Sequence, residues 1–304
     1  MTYRVVTKEA AETEVSAGKV ARNDISRVGV ETNNPVEFQV PSMKEKRPEL
    51  LSIVIPAYNE AGRIIETIQK VKHYSSQLQR SEQQIELIIV CDGCSDNTAM
   101  VAEGALTDAA FECTIISYRK NRGKGYAVKR GIRASRGSIA GFMDADGSTP
   151  VSEISAVLHV LKENKSLAGV IGSRRTKDAE LTRSQPWHRR IMGNCFSKLT
   201  SLLLSMPYKD TQCGFKFFRG ELARISFASI CSHDFSFDIE LLYKIHSRGY
   251  QVKEMGVRWH NDRRSTVSPV RDGIRMLLTL VRIKRSYDTA GFGKTVTLQF
   301  PGKI

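Results

Sequence analysis

From Leu50 onward, short apolar runs alternate with segments patterned for helix, and no other feature of the chain limits its fold so tightly. The runs at 51–55, 85–90, 114–117, 139–143 and 167–171 are rich in Ile, Val and Leu with almost no polar interruption. Such runs suit strands covered on both faces. Between them, residues 60–73, 96–110, 124–135 and 151–163 carry helical patterning. Strand and helix in regular alternation require crossover connections. The expected fold class is therefore α/β, a mostly parallel central sheet with helices on both faces. Ligands of such sheets bind beyond the carboxyl ends of the strands.

Outside this region the texture changes. Residues 1–48 mix charges, hold few aromatics and show no sustained period, which predicts a mobile N-terminal extension. One globular domain is expected over 49–262, followed by a basic amphipathic helix and tail over 263–304. With 41% apolar residues, the chain can build a core. Its six cysteines are irregularly spaced and no signal peptide precedes them, which fits reduced thiols and a cytoplasmic location. Cys91 and Cys94 form a C-x-x-C, but no second Cys or His pair stands at zinc spacing. The six histidines show no ligand spacing either. No apolar stretch reaches the roughly 18 residues of a membrane span. The charge is lopsided. Residues 1–173 carry 22 basic and 21 acidic side chains and residues 174–304 carry 24 and 11, so 13 of the 14 excess positive charges lie in the second part. A balance of this kind attracts nucleic acid, anionic headgroups or phosphorylated substrates, and composition does not choose among them.

The polar motifs gather where the strands end. Pro56-Ala-Tyr58-Asn-Glu60 follows the first run, Cys91-Asp92-Gly-Cys94-Ser-Asp96-Asn-Thr98 the second, and Asp144-Ala-Asp146-Gly147 the fourth. Residues i and i+2 of a strand point the same way, so Asp144 and Asp146 suit a shared hard cation, Mg2+ or Mn2+. Taken alone, they read as an ordinary strand-to-loop turn, and only the other motifs reverse that. Asn59 and Asp96 read as helix N-caps and Gly93 as a turn residue.

Together these segments are specific. Leu51-Ser-Ile-Val-Ile-Pro-Ala-Tyr-Asn-Glu60, Asp92-Gly-x-x-Asp96-x-Thr98, Asn121-Arg-Gly-Lys-Gly-Tyr-Ala127 and Asp144-Ala-Asp146 resemble family 2 glycosyltransferases of the GT-A fold. Asp210-Thr-Gln-Cys-Gly-Phe-Lys216 and Phe237-Asp-Ile-Glu-Leu-Leu242 resemble the polyprenyl-phosphate branch, most closely the dolichyl-phosphate glucosyltransferases. The likeness spans about residues 50–285.

The resemblance implies a nucleotide-sugar donor, with Pro56, Tyr58 and Glu60 beside the nucleoside and Asp92 hydrogen-bonding the base. It implies that Asp144 and Asp146 bind the metal, whose charge offsets that of the departing nucleoside diphosphate. Lys124, in a Gly-rich turn, would reach the same phosphates, and the helix after it would present its N-terminus to anions. Arg174 is the expected ligand of an acceptor phosphate, since a guanidinium holds phosphate bidentately. Asp210, Gln212 and Lys216 are expected in the active site, and Asp238 stands where relatives using sugar-hydroxyl acceptors place a base. The departures are Cys91 where the family usually has an acid and Cys94 where a Ser is common.

The implied reaction is inverting transfer of a sugar, glucose from UDP-glucose, onto a polyprenyl or dolichyl phosphate. Two stretches, 187–206 and 270–285, combine apolar residues at helical spacing with flanking basic ones. They fit either core helices or a peripheral contact with the cytosolic face of a membrane. A sugar hydroxyl as acceptor is the alternative within enzymes. A nucleic-acid-binding protein would leave Asp144 and Asp146 without a role, and no nucleic-acid module is recognisable, so no nucleic-acid partner is expected.

Overall fold

A computed structural model describes residues 4–7, 50–78, 83–182, 197–260 and 279–285. The strands are β1 (Arg4–Thr7), β2 (Leu50–Ala57), β3 (Gln84–Asp92), β4 (Glu112–Tyr118), β5 (Ile139–Met143), β6 (Gly169–Ser173), β7 (Glu180–Leu181), β8 (Phe215–Arg219), β9 (Val252–Gly256) and β10 (Arg258–Trp259). The helices, in chain order, are α1 (Ile64–Leu78), α2 (Thr98–Leu106), α3 (Lys124–Ala134), α4 (Glu153–Glu163), α5 (Gly220–Ala228) and α6 (Phe237–Ser247). Residues 197–204 and 279–285 are also helical.

Eight strands form one sheet in the order β1-β4-β3-β2-β5-β8-β6-β9, and β7 pairs with β10 in a small ribbon. The sheet is parallel except for β8, which runs antiparallel between β5 and β6. All five strand runs read from the sequence are present, parallel to one another, with ends shifted by three residues or fewer. The mobile extension expected over 1–48 contains β1, which pairs in parallel with Thr114–Ser117 of β4; the remainder of that stretch lies outside the described residues.

Strand alternation divides the core into two layers. Leu51, Ile53 and Ile55 of β2 and Leu87, Ile89 and Cys91 of β3 face Ile64, Ile68 and Val71 of α1, Ala102 and Leu106 of α2, and Ile154, Val157 and Leu161 of α4. Val54, Ile88 and Val90 face the other way, onto α3, α5 and α6. Both faces are apolar because both are covered, which is why these strands lack the polar alternation of a one-sided sheet. The chain winds outward from β2 towards β4 on one side and towards β5 on the other. A switch point therefore opens between the carboxyl ends of β2 and β5, the crevice in which ligands of open α/β sheets bind.

Of the two amphipathic stretches, residues 187–196 and 270–278 lie outside the described residues. In the described parts, Leu204, Leu280 and Ile283 pack into the core layer shared with α3, α5 and α6. Val281 faces outward, and the seated residues are its neighbours Leu280 and Ile283.

Candidate active site

Loops at the ends of β2 and β3 are stitched together by polar side chains. Asn59 is not a helix cap: it adopts a left-handed backbone (φ 55°), and its Oδ1 accepts the Ser95 amide at 2.8 Å. The Glu60 amide donates to Thr98 Oγ1 at 2.7 Å and the Ala61 amide to Asp96 Oδ2 at 3.1 Å. Asp96 Oδ1 also accepts the first amide of α2, at Thr98, so it does serve that helix end. Tyr58 projects from this platform half exposed, and Pro56 is buried within β2. Glu60 pairs with Arg63 at 2.5 Å. Burial still raises its carboxyl above the usual range, helped by the charges of Asp146 and Asp144.

Asp92 is buried, and both its oxygens are engaged. Oδ1 accepts the Arg122 amide and Oδ2 the Gly123 amide, each at 2.8 Å. It holds the 121–123 loop against the end of β3, a positioning role that no sequence signal separated from base recognition. The loop needs this tie because Gly123 sits at φ 96° with the His233 carbonyl close behind it, 2.4 Å from where a Cβ would stand. That same carbonyl accepts the amides of Gly125 and Tyr126 at 2.8 and 3.4 Å. The first turn of α3 is thus capped by the chain itself, which corrects the expectation that it presents free amides to an anion.

Lys124 instead sends its side chain across the switch point. Its Nζ lies 2.6 Å from Asp144 Oδ1, and the Phe235 ring flanks it at 5.9 Å. Burial works against its charge, but Asp144, Asp238 and Asp146 more than offset that, and its pKa is raised. Asp144 is fixed from behind by the Gly214 carbonyl, which accepts its amide at 3.0 Å. Gly214 has no room for a side chain: a Cβ there would stand 2.0 Å from Asp144 Oδ2. Asp146 accepts the Ser148 amide at 2.9 Å. Burial, and then the neighbouring charge of Asp144, push its carboxyl up. Among the described residues no three His, Cys, Asp or Glu side chains converge to enclose a metal ion. Two carboxylates with a diphosphate is nevertheless a donor set that suits Mg2+ or Mn2+, which keep few protein ligands. Lys124 already sets a positive charge on one of those carboxylates, so the residues fit such an ion.

On the other side of the crevice the cations are committed. Arg174 Nε and Nη2 donate to Asp210 Oδ2 and Oδ1 at 2.7 and 2.9 Å, and its guanidinium lies 5.5 Å from the centre of the Trp259 ring. Burial opposes ionisation of Asp210, but Arg174 and then Arg175 hold its carboxyl below the usual range. Gln212 donates to the Phe235 carbonyl at 3.1 Å. Lys216 and Asp238 form a buried ion pair at 2.6 Å. Burial raises the Asp238 carboxyl, with Lys216 and Lys124 opposing the rise. Asp238 therefore does not stand free as a base. The Cys94 thiol, half-buried, donates to the Ala57 carbonyl at 3.4 Å beside the Tyr58 platform. Its pKa is lowered to about 7, first by its hydrogen bond with Cys91. Sequence motifs thus placed Glu60, Asp144, Asp146, Lys124 and Arg174 at one rim. They missed Arg63, Gly214, the His233 carbonyl and Phe235, whose roles depend on chain segments far apart in sequence.

The mixed sheet, with acids at its switch point, defines a GT-A fold. Solved structures agree: glucosyl-3-phosphoglycerate synthase from Mycobacterium tuberculosis in complex with UDP superposes with a TM-score of 0.59 at 18% identity, covering 78% of this chain and 80% of that one. The same enzyme in complex with Mn2+, UDP and glucosyl-3-phosphoglycerate gives 0.55 at 20% identity over 76% and 80%. The chain belongs to glycosyl transferase family 2, whose model matches residues 52–225, from β2 into α5. A dolichyl-phosphate beta-glucosyltransferase of Dictyostelium discoideum is 31% identical over 271 residues, covering 86% of this chain and 83% of its own. The corresponding human protein is 30% identical over 260 residues, with 83% and 80% covered.

Proposed function

We propose that this glycosyltransferase moves glucose from UDP-glucose to dolichyl or a related polyprenyl phosphate, with inversion at the anomeric carbon. The carrying observation is the state of Asp238. The acid best placed by sequence to deprotonate a sugar hydroxyl is buried and held by Lys216. A phosphate acceptor needs no such base, because its attacking oxygen is already anionic at neutral pH. The likeness to dolichyl-phosphate glucosyltransferases over most of both chains supports the same acceptor.

In this reading Tyr58 offers a ring face to the nucleoside and the stitched 59–61 and 95–98 loops shape its platform. Asp92 keeps the 121–123 loop in place, and Lys124 meets the diphosphate. Asp144 and Asp146 would hold Mg2+ or Mn2+, which supplies positive charge to the leaving diphosphate. Arg174, oriented by Asp210 and Trp259, keeps its Nη1 edge outside that pair for the acceptor phosphate. Among the described residues no helix is long and apolar enough to cross a membrane. The lipid is met at a membrane's cytosolic face, where exposed Leu199, Leu202 and Val281 stand with Lys198, Arg282 and Lys284.

The test pairs binding with transfer. Melting is followed with UDP, UDP-glucose and GDP, each with and without Mn2+, and radiolabelled UDP-glucose is then offered with dolichyl phosphate or dolichol. A Mn2+-dependent rise with the uridine ligands and product from the phosphate alone are expected. Arg174→Ala should weaken use of dolichyl phosphate more than donor binding. Transfer to a hydroxyl acceptor but not to a lipid phosphate overturns the reading.

A further inference from the structure

Cations around the rim divide into two kinds. Arg63, Lys70, Arg174 and Lys216 are each held by an acid beside the proposed metal site rather than in it: Glu60, Glu66, Asp210 and Asp238. Lys124 differs, because the oxygen it holds belongs to Asp144, one of the two carboxylates that would receive the divalent ion. A divalent ion at Asp144 would face this ammonium at close range, in a setting where Lys124 is only 17% exposed. The two cannot keep the same oxygen.

We infer that Lys124 is the resident counter-ion of Asp144, and that its passage from Asp144 to the nucleotide's diphosphate couples cation binding to nucleotide binding. The backbone is built for such an exchange. The α3 start is pinned by the His233 carbonyl and by Asp92, so only the side chain has to move. That side chain is a flexible four-carbon stem carrying a compact charge. Phe235 flanks the ammonium, and the charges of Asp144, Asp238 and Asp146 favour its protonated form where it now stands. The cation alone must expel Lys124 with nothing to receive it. With a diphosphate present, the ammonium has a new partner and the cation gains phosphate oxygens. By linkage, the nucleotide must then tighten the cation as much as the cation tightens the nucleotide.

This inference rests on the donor reading above, and Mn2+ binding separates the two. Free Mn2+ is followed by electron paramagnetic resonance during titration of the full chain, alone and with saturating UDP. Lys124→Met and Lys124→Gln remove the charge, and Lys124→Arg keeps it; all are checked by thermal melting, and the two neutral variants guard against a folding defect in either. With charge removed, Mn2+ alone should bind about tenfold more tightly, and the tightening by UDP should shrink by about the same factor, leaving direct ligation by the phosphates. Lys124→Arg should stay within about threefold of the parent. Unchanged Mn2+ affinity in the folded neutral variants overturns the exchange while leaving the transferase reading intact. Absence of both Mn2+ and UDP binding in the parent chain overturns both.

Discussion

Glu86, near the amino end of β3, and the Asp144 and Asp146 pair, just beyond the carboxyl end of β5, are treated in opposite ways. At the amino ends, Glu86 of β3 lies beside its register partner Ser52 of β2. It accepts Ser52 Oγ at 2.6 Å, the Arg136 amide at 2.9 Å and Arg136 Nε at 2.8 Å, while Ser52 in turn accepts the Gly137 amide. Every strong acceptor there has a donor. At the carboxyl ends, Asp144 shares Lys124 with the field of Asp238, and none of the described ion pairs involves Asp146. Glu86 fastens the sheet, as Asp92 does at the other end of β3, whereas Asp144 and Asp146 keep charge in reserve for something that is not protein. An acid such as Asp146, its carboxyl pushed up by burial and then by the charge of Asp144, costs stability and marks a site that binds or reacts.

That contrast can be broken most directly at Asp146. Asp146→Ala should lower metal-dependent transfer by at least about a thousandfold, as expected when electrostatic stabilisation of the transition state is lost. Its melting temperature should be unchanged or higher, because a crowded carboxylate has gone. A clear drop in melting temperature would put Asp146 with the fastening acids instead. Glu86→Ala should do the reverse. It strands Ser52 and two donors of Arg136 and should cost about 2–3 kcal/mol of stability, read from denaturant melts; the partial exposure of Arg136 keeps the figure modest. Nucleotide and Mn2+ affinity of the folded fraction should stay at the parent level, and a selective loss of either would blur the division of labour.

The smallest expected effect concerns Cys94, at the edge of the platform proposed for the nucleoside. A thiol lowered to about 7 gains its reactive thiolate as pH rises through that value, so alkylation should accelerate from pH 6 to 8 with its midpoint near there. Mapping modified peptides by mass separates Cys94 from the exposed Cys231 and the buried Cys91. UDP should slow the reaction at Cys94 only. A midpoint in the ordinary thiol range would detach Cys94 from Cys91 and the platform.

What the sequence discloses follows from where the forces are local. Buried parallel strands are continuous apolar runs, and their ends carry the polar residues that must leave the sheet, so β2 to β6 and the positions of Glu60, Asp144 and Asp146 are legible. β8 is not: only its first two residues, Phe215 and Lys216, fall within a motif, and strand direction has no signature in composition. β9, a polar edge strand, gave no apolar run. Pairings are equally silent. Lys216 finds Asp238 across 22 residues and Arg174 finds Asp210 across 36, so residues that look free as a base or a phosphate ligand are already engaged or half engaged. Likewise the helix after the Gly-rich turn reads as an anion-binding N-terminus, and only the fold shows that the His233 carbonyl occupies the amides of Gly125 and Tyr126.

The reversed direction of β8 has one more consequence. Parallel neighbours deliver to the rim only the segments that leave their strands, and each of those segments is bound to a crossover of limited length. β8 begins at the rim, so residues 205–214 arrive there from outside, carrying Asp210, Gln212 and the carbonyl that sets Asp144. An insertion or exchange in that incoming segment alters one wall of the crevice without lengthening any crossover of the parallel half. The molecule is in this respect two separately editable parts around one seam: a wall tied to the crossovers of the parallel half and a wall open to refitting.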